Sequence, residues 1–314
     1  MQTQQSLESS SHAAIPIVFT FDNQLVDPAI VCISSLLWSR NQNTNYEIHL
    51  LYIDLHEENQ TRIRESLKEF TNFTIQFTDC NAHFDFMNAS ESRGITKTAY
   101  LRLLIPRLLR QHERVIYSDV DVIIQQDLSC LLNWSGIEAI YGIRAGDEKG
   151  SHDKLYKERI GCDAIDYINS GILVFNNQAI GDDEINQCLA LISKGFNFHD
   201  QDIINLVFKG KIDASMHPKF AIIPGRYKSM RNEPEKWTSF YTSEQLSLLS
   251  LNEGIIHYAG RKPWNTRVDF GEIWWASFLK SSVVDIDKYN HYVNHLAFLP
   301  FDKTPLVKLI KRFK

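Results

Sequence analysis

The chain contains 314 residues, of which 44% are hydrophobic and 23% are charged, as is typical of a soluble globular protein with one large domain or two small ones. A net charge of −5 argues against a nucleic-acid-binding protein that depends mainly on phosphate contacts. The sequence has no apolar stretch long enough to cross a bilayer. Its five cysteines are scattered without a C-x-x-C pair, which favours buried reduced thiols in the cytoplasm over a disulfide framework or a zinc site.

The first part of the chain alternates strand and helix patterns after a polar start. Residues 1–14 are rich in Ser and Gln without an apolar core segment, and they predict a disordered leader rather than a secretory signal. The predicted strands are 15–21, 46–53, 73–79 and 114–120, and the predicted helices are 28–40, 56–70 and 97–109, the last one bent or ended near Pro106. This alternation predicts an open, largely parallel α/β sheet with crossover helices.

The second part of the chain is less regular and has no internal repeat or Pro/Gly/Ser-rich linker. We predict strands over 137–143, 170–176 and 254–260 and a helix over 200–210. The last segment, 303–314, carries basic residues and no acidic one, and its apolar residues recur at roughly helical spacing. Such a segment either lies on an anionic membrane surface or is a solvated helix end.

Carboxylates follow two predicted strands at the edge of the sheet where ligands commonly bind. Asp22 follows the first strand, and Asp119 and Asp121 follow the fourth. Because residues two apart on an extended backbone point the same way, the side chains of Asp119 and Asp121 can both reach one cation. Their oxygens suit Mg²⁺ or Mn²⁺, with diphosphate oxygens and water completing an octahedron. Alone, a D-x-D pair is weak support, because most such pairs are solvated turns.

The segment "IIHYAGRKPW" adds an imidazole and a cation. His257 follows an apolar strand, and Lys262 comes after a glycine turn. An imidazole beside two carboxylates would favour manganese over magnesium, and the lysine would face phosphate charge. The ordinary structural interpretation is a core histidine with its own hydrogen bonds.

Two further segments offer groups that suit a sugar. In "DYINSGILVFN", Asn169 precedes a strand, and its amide can pair with sugar hydroxyls, although Asn, Ser and Gly are also common turn residues. In "FHDQDIINLVFKG", Asp200, Gln201 and Asp202 open a helix, where the acids also suit an N-cap and the helix dipole.

Four segments together, "YSDVDVIIQQDL", "INSGILVFN", "HDQDIINLVFKG" and "HYAGRKPW", occur in an order that resembles glycosyltransferase family 8. This family includes bacterial lipopolysaccharide galactosyl- and glucosyltransferases and the glycogenins, and the resemblance extends from about Pro16 to about Trp264. It implies a GT-A fold, a Rossmann-like mixed sheet flanked by helices, and retaining transfer of a hexose from a UDP-sugar with Mn²⁺. We therefore expect a catalytic domain over 15–280 and a helical, basic, membrane-associating tail over 281–314.

The resemblance also implies roles at the diphosphate. Asp119, Asp121 and His257 match the three protein ligands of the metal, with Mn²⁺ expected and Mg²⁺ as the alternative. Gly260 and Lys262 match the turn and the cation that hold the diphosphate.

The remaining donor contacts follow from the same resemblance. Asp22 matches a residue that contacts uracil, and Arg102 matches an arginine that touches the donor. Asn169, Asp200 and Gln201 match groups that bind the transferred sugar, with Gln201 nearest the anomeric carbon.

Two positions qualify this correspondence. Asp147 is a further candidate for a sugar-binding acid. Leu25 stands where many relatives have an aromatic residue that stacks on uracil, and this departure leaves the contact with the base open.

The catalytic candidates are Gln201, Asp200 and Asp202. Retention usually requires a carboxylate nucleophile and two displacements, but the best-placed side chain is the amide of Gln201, which is a poor nucleophile. We therefore favour departure and attack on the same face, with the leaving phosphate taking the proton of the acceptor. A covalent intermediate on Asp200 or Asp202 is the alternative.

Two other functions remain open at this stage. A haloacid-dehalogenase-like phosphatase would use Asp119 as nucleophile and Asp121 as general acid, although that motif normally ends a first strand. A non-catalytic nucleotide-sugar-binding module could use the same fold. For the transferase, we expect a UDP-galactose or UDP-glucose donor and a glycan or lipid-linked acceptor such as lipopolysaccharide or lipooligosaccharide core. We expect the protein in the cytoplasm, peripheral at the inner membrane through its tail, with no nucleic-acid partner.

Overall fold

The computed structural model describes residues 14–83, 97–146 and 152–296. Residues 1–13 of the predicted leader, Asp147 and the basic segment 303–314 lie outside this part, so the predictions made for them stay predictions. The strands are β1 Ile15–Thr20, β2 Tyr46–Tyr52, β3 Phe73–Asp79, β4 Arg114–Ser118, β5 Val122–Ile124, β6 Ile140–Arg144, β7 Ile168–Asn176, β8 Ile212–Asp213 and β9 Ile255–His257.

Most of the strands form one mixed sheet. Seven of them follow the order β3-β2-β1-β4-β7-β6-β8, and β5 pairs with β9 in a separate two-stranded sheet. The strands β1 to β4 run parallel, as the alternation of strands and helices predicted. β7 is antiparallel to both β4 and β6, whereas β8 is parallel to β6. The sheet is therefore mixed, as the resemblance implied, and less uniformly parallel than the sequence pattern alone suggested.

Helices flank the sheet on both sides. They are α1 Val26–Ser39, α2 Glu57–Leu67, α3 Ile105–Leu108, α4 His152–Arg159, α5 Asp182–Leu191, α6 Asp200–Val207, α7 Pro224–Asn232, α8 Ser243–Ser247, α9 Gly271–Lys280 and α10 Ile286–His291. Within the described ranges, no helix combines the length and the apolarity that a membrane span requires.

The segment predicted as a helix bent or ended near Pro106 consists of two helical parts that meet beside this proline. The segment begins as the 3-10 helix Lys97–Leu104 and continues into the four-residue α3. Pro106 has no N–H group to donate to the carbonyl of Arg102 four residues earlier, so a continuous α-helix is interrupted here. The consequence is that Arg102 lies on the 3-10 part of the segment, close to the carboxyl end of β4.

Apolar layers cover both faces of the sheet. Ile17 and Phe19 of β1 belong to the layer that also contains α1 and α9, whereas Val18 belongs to the layer that contains α5 and α6. Successive side chains of a strand point to opposite faces, so an almost wholly apolar strand is buried on both. Ile30 and Ile33 of α1 are fully buried, which fits a helix that is apolar nearly all round.

The cysteines are free thiols. Four of them, Cys32, Cys80, Cys162 and Cys188, are buried as predicted, whereas Cys130 is exposed. Cys32 lies beneath the strand end that carries the acidic pair, and its Sγ is 3.8 Å from the carbonyl oxygen of Asp119. Burial, together with the nearby carboxylates, raises the pKa of Cys32, which keeps this thiol protonated.

Candidate active site

Asp119, Asp121 and His257 come together at the carboxyl end of β4, and we call them the carboxyl-end cluster. The pairing of β5 with β9 sets His257 opposite Val122, so the imidazole lies beside the acidic pair. His257 Nε2 is 3.2 Å from Asp121 Oδ1 and 3.7 Å from Asp119 Oδ2. One ligand atom from each of the three residues lies within 4.8 Å of the others. The distant segments that the sequence analysis combined therefore do meet.

The carboxyl-end cluster fits a divalent metal ion. Asp121 Oδ1 is buried beside His257 Nε2 but makes no hydrogen bond of normal geometry among the described residues, which is costly for a carboxylate unless a cation satisfies it. Burial opposes the charge of Asp121, but the nearby Lys262 and His257 outweigh it and hold the pKa of this carboxyl well below its usual value. Two ionised oxygens and one imidazole nitrogen form a donor set that suits Mn²⁺.

Gly171, near the start of β7, leaves room for the cluster. Its carbonyl oxygen accepts a hydrogen bond of 2.8 Å from the backbone N–H of Asp119. A Cβ at this position would lie 2.3 Å from His257 Cε1 and 2.9 Å from Asp119 Oδ2, which is too close for any side chain. In the sequence, Gly171 stands among residues that are common in turns. Only the antiparallel pairing of β7 with β4 brings it against the two ligands.

Lys262 is held beside the carboxyl-end cluster by the turn after β9. Its Nζ donates to Asp121 Oδ2 and, at 3.1 Å, to the carbonyl of Tyr258. Gly260 has φ of +89°, and a Cβ there would meet no atom within 4 Å. This glycine therefore serves the backbone conformation of the turn rather than a close approach.

Arg102 connects the carboxyl-end cluster to the start of α6. Its Nη2 donates to Asp119 Oδ1 at 2.9 Å, and its Nη1 donates to the carbonyl of Ser170 at 2.7 Å. Its Nε lies 3.1 Å from Asp200 Oδ2, and its guanidinium stacks 4.4 Å from the ring centre of Tyr117. Although burial opposes its charge, the two carboxylates raise the pKa of Arg102. The guanidinium thus lies against protein carboxylates.

Asp200 is a buried acid next to this arginine. Burial, and secondarily the negative charge of Asp119, raise the pKa of Asp200 to about 6, although Arg102 favours the ionised form. His199, just before it, has φ of +52°, which is unusual for a residue other than glycine, and its Nδ1 is 2.9 Å from the hydroxyl of Tyr100. Strain of this kind often occurs at functional sites.

Gln201 is held by groups on β7 and just before it. Its Oε1 accepts hydrogen bonds from Asn169 Nδ2 at 3.2 Å and from the N–H of Ser170 at 3.1 Å. Its Nε2 donates to the hydroxyl of Tyr167 at 3.2 Å. Asn169 Oδ1 in turn accepts from the N–H of Gly171 at 2.9 Å. The two amides that were predicted to bind sugar therefore lie together and next to the carboxyl-end cluster.

Asp202 lies behind Gln201 in the protein interior. Its Oδ1 accepts a hydrogen bond of 2.5 Å from Tyr167, and its Oδ2 accepts from Tyr156 at 2.7 Å and from the N–H of Phe198 at 2.9 Å. The side chain is fully buried. Both oxygens are therefore used to hold the helix start and the tyrosines. Sequence reasoning did not identify Tyr156 or Tyr167, because isolated tyrosines carry no motif.

Asp22 and Leu25 lie at the end of β1, one strand from β4. Asp22 Oδ1 accepts a hydrogen bond of 2.9 Å from the N–H of Gln24 and so caps the 3-10 helix Asn23–Leu25. Leu25 is partly buried against the apolar layer that contains α1. In the described contacts, Asp22 therefore has a local role in addition to the one that the resemblance implies.

Comparison with known proteins adds an independent result. The model of the family described as Glycosyl transferase family 8 matches residues 16–267. General stress protein A of Bacillus subtilis is 27% identical over 241 residues, which cover 74% of this chain and 81% of that protein. Lipopolysaccharide 1,2-glucosyltransferase of Escherichia coli is 23% identical over 270 residues, which cover 79% of this chain and 72% of that protein. The structure of galactosyltransferase LgtC in complex with donor and acceptor sugar analogues aligns with a TM-score of 0.70 at 21% identity, over 88% of this chain and 99% of LgtC.

The matched residues include every strand from β2 to β9 and all three members of the carboxyl-end cluster. The likeness to LgtC shows that the fold is of the GT-A type, as the sequence resemblance implied. The chain therefore belongs to glycosyl transferase family 8.

Proposed function

We propose that this protein is a retaining hexosyltransferase that moves galactose or glucose from a UDP-sugar to a glycan acceptor. The observation that carries the proposal is the convergence of the carboxyl-end cluster with Lys262. Two carboxylates, an imidazole and an ammonium group are the chemistry needed to hold a divalent ion and a diphosphate together. The two amides beside the cluster, Asn169 and Gln201, are suited to sugar hydroxyls.

Asp119, Asp121 and His257 would hold the proposed Mn²⁺, with Mg²⁺ as the alternative. The ion would supply Lewis-acid stabilisation of the charge on the departing diphosphate. Lys262 would add a fixed positive charge at the same place, because its Nζ already lies against the cluster. Gly260 would shape the turn that presents it.

The residues around the sugar would position it rather than attack it. Gln201 is held at both ends of its amide, so it would contact the transferred hexose in one orientation. We propose departure and attack on the same face, with the acceptor proton passing to the leaving phosphate. Asp200 is the remaining carboxylate for a covalent intermediate, since both oxygens of Asp202 are used within the protein. We propose that Asp22 contacts the uracil, that Arg102 positions Asp119 near the donor, and that Asp147 is a further sugar ligand.

The proposals for the acceptor and the location rest on the names of similar proteins and on the basic segment 303–314. The name of the Escherichia coli relative refers to lipopolysaccharide, and LgtC was solved with an acceptor sugar analogue. We propose lipopolysaccharide or lipooligosaccharide core as the acceptor. We further propose a cytoplasmic enzyme that contacts the inner face of the membrane through the basic segment 303–314.

The rival phosphatase function receives no support from the geometry. A phosphatase of the haloacid-dehalogenase type would have its acidic pair after the first strand, whereas this pair follows β4. That mechanism also gives no role to His257 or Lys262, both of which contact Asp121. A binding module would keep the same cluster, so it differs from the transferase only in turnover.

The test is a panel of nucleotide sugars assayed for hydrolysis with Mn²⁺ and without an acceptor. We expect UDP-galactose or UDP-glucose to be cleaved, and we expect a chelator to stop the reaction. Preference for a GDP- or CMP-sugar would overturn the donor assignment. UDP binding without turnover on any acceptor would favour the binding module, and cleavage of simple phosphoesters alone would favour the phosphatase.

A further inference from the structure

A second group of metal-binding side chains lies at the opposite end of the sheet. Glu47 and His49 are two residues apart on β2, so both side chains point to the same face. His112 lies in the loop before β4, and its backbone is fixed because its N–H donates to Leu109 and its carbonyl accepts from Asn177 Nδ2 at 3.0 Å. We call Glu47, His49 and His112 the amino-end cluster, because it lies where β2 and β4 begin.

The geometry of the amino-end cluster resembles part of a tetrahedral site. His49 Nε2 is 3.0 Å from Glu47 Oε1, and His112 Nε2 is 3.4 Å from the same oxygen. One ligand atom from each of the three side chains lies within 4.8 Å of the others. For metal–ligand bonds of about 2.0–2.1 Å, tetrahedral ligands are separated by roughly 3.3 Å. The side chains therefore need little movement to share one ion.

The imidazoles of this cluster are poorly satisfied. His49 is 1% exposed, and its Nδ1 has no hydrogen-bond partner in the described part of the chain. Nε2 of His49 and Nε2 of His112 both face the single oxygen Oε1 of Glu47 without a hydrogen bond of normal geometry. A buried polar group without a partner costs free energy, so a bound ion would relieve an existing penalty.

The exposure of the other two ligands gives an ion access to the cluster. The side chains of His112 and Glu47 are 20% and 29% exposed, so one side of the cluster faces solvent. Water can supply the fourth ligand from that side. Two imidazoles and one carboxylate suit zinc, whereas one imidazole and two carboxylates suit manganese. The two ends of the sheet therefore differ in the ion that they favour.

We propose that Glu47, His49 and His112 form a second site, for a divalent ion of the zinc type that stabilises the fold. The site would link β2 to the loop that leads into β4, across the intervening β1. Because β4 carries Asp119 and Asp121 at its other end, the ion would stabilise the strand on which the carboxyl-end cluster depends. An ion that binds only the folded state raises the melting temperature.

The test uses the full chain without an affinity tag, stripped of metal, in a His257→Ala background that removes the carboxyl-end cluster as a competitor. Zinc is titrated against a chromophoric indicator, and the melting temperature is measured with and without Zn²⁺. We expect one tightly bound Zn²⁺ per chain and a rise in melting temperature. His112→Asn removes a direct ligand, so it should weaken zinc binding by at least about 10- to 100-fold and clearly reduce the rise at the same Zn²⁺ concentration.

Controls separate this site from general histidine binding and from misfolding. His83→Asn changes an exposed histidine outside the cluster. This variant should keep both the zinc binding and the rise in melting temperature. Glu47→Gln provides a second variant if His112→Asn does not fold, as judged by circular dichroism without metal. The proposal is overturned if the background binds no zinc, or if both cluster variants bind it as tightly as the background does.

Discussion

The two ends of the central sheet carry similar side chains in different electrostatic settings. The carboxyl-end cluster lies between Lys262 and Arg102. Lys262 and His257 outweigh the burial of Asp121 and hold the pKa of this carboxyl low. In the amino-end cluster, burial dominates and lowers the pKa of His49. The first arrangement collects fixed charges of both signs, which suits an ion that must also bind an anionic substrate. The second combines two imidazoles with a single carboxylate, which suits an ion that stays in place.

The largest expected difference between the two ends is in turnover. Asp121→Asn removes a charged oxygen from the carboxyl-end cluster and should lower kcat/KM with a UDP-sugar by roughly 10³-fold or more. Glu47→Gln makes the matched change in the amino-end cluster and should leave kcat/KM within about twofold of the wild type. Steady-state assays of the two purified variants measure this difference. Equal losses of kcat/KM would show that the two ends of the sheet do not differ in function.

A second difference is the pH dependence of folding stability, to which Asp200 contributes at the carboxyl end of the sheet. Its pKa is raised from about 3.8 when unfolded to about 6 when folded, so the folded state favours the protonated form. The stability of the wild type relative to Asp200→Asn should therefore be greatest below pH 4, fall as the pH rises through 6, and be constant above it. The total change should be roughly 3 kcal/mol at most. Urea unfolding of both proteins across this range measures it, and a difference independent of pH would contradict the assignment.

A third prediction concerns the space that Gly171 leaves for the carboxyl-end cluster. A Cβ there would lie 2.3 Å from His257 Cε1, so Gly171→Ala must displace the imidazole. We expect kcat/KM to fall by about 100-fold, with the melting temperature changed by only a few degrees. Gly225→Ala, in α7, is the matched control because a Cβ there meets nothing within 4 Å. A Gly171→Ala enzyme with normal turnover and Mn²⁺ affinity would show that His257 is not fixed as described.

The smallest expected effect tests the tyrosines behind Gln201. Tyr167→Phe removes the acceptor of Gln201 Nε2 and a donor to Asp202, so the amide loses its fixed orientation. We expect kcat to fall by about tenfold with KM nearly unchanged. Tyr156→Phe also removes a hydrogen bond to Asp202 but none to Gln201, and it should change kcat less. Equal losses of kcat in the two variants would show that both substitutions act through Asp202 on the start of α6 rather than on the orientation of Gln201.

Much of this arrangement could be predicted from sequence because its signals are local. Strands β1 to β4 were predicted to within two residues, since apolar runs and their boundaries are encoded in short segments. The D-x-D pair and the "HYAGRKPW" segment identified Asp119, Asp121, His257 and Lys262, and the structure brings these side chains together.

The other features of the site could not be predicted from sequence, because they depend on contacts between distant segments. Gly171 matters only because β7 is antiparallel to β4, and no local pattern reveals that direction. Arg102 is predicted from the resemblance to touch the donor, and the structure adds that its guanidinium lies against Asp119 and Asp200. The amino-end cluster joins β2 to a loop more than 60 residues later, so its histidines form no motif. Such groupings appear only when the order of the strands is known.

The most direct test of the carboxyl-end cluster is the coupling between Mn²⁺ and UDP in one titration experiment. UDP is titrated calorimetrically into the metal-free wild-type chain and into His257→Ala, each with and without Mn²⁺. We predict that Mn²⁺ tightens UDP binding by roughly 10- to 100-fold in the wild type and has little effect in His257→Ala. UDP binding that is unchanged by Mn²⁺ in the wild type, or equally enhanced in the variant, would contradict it.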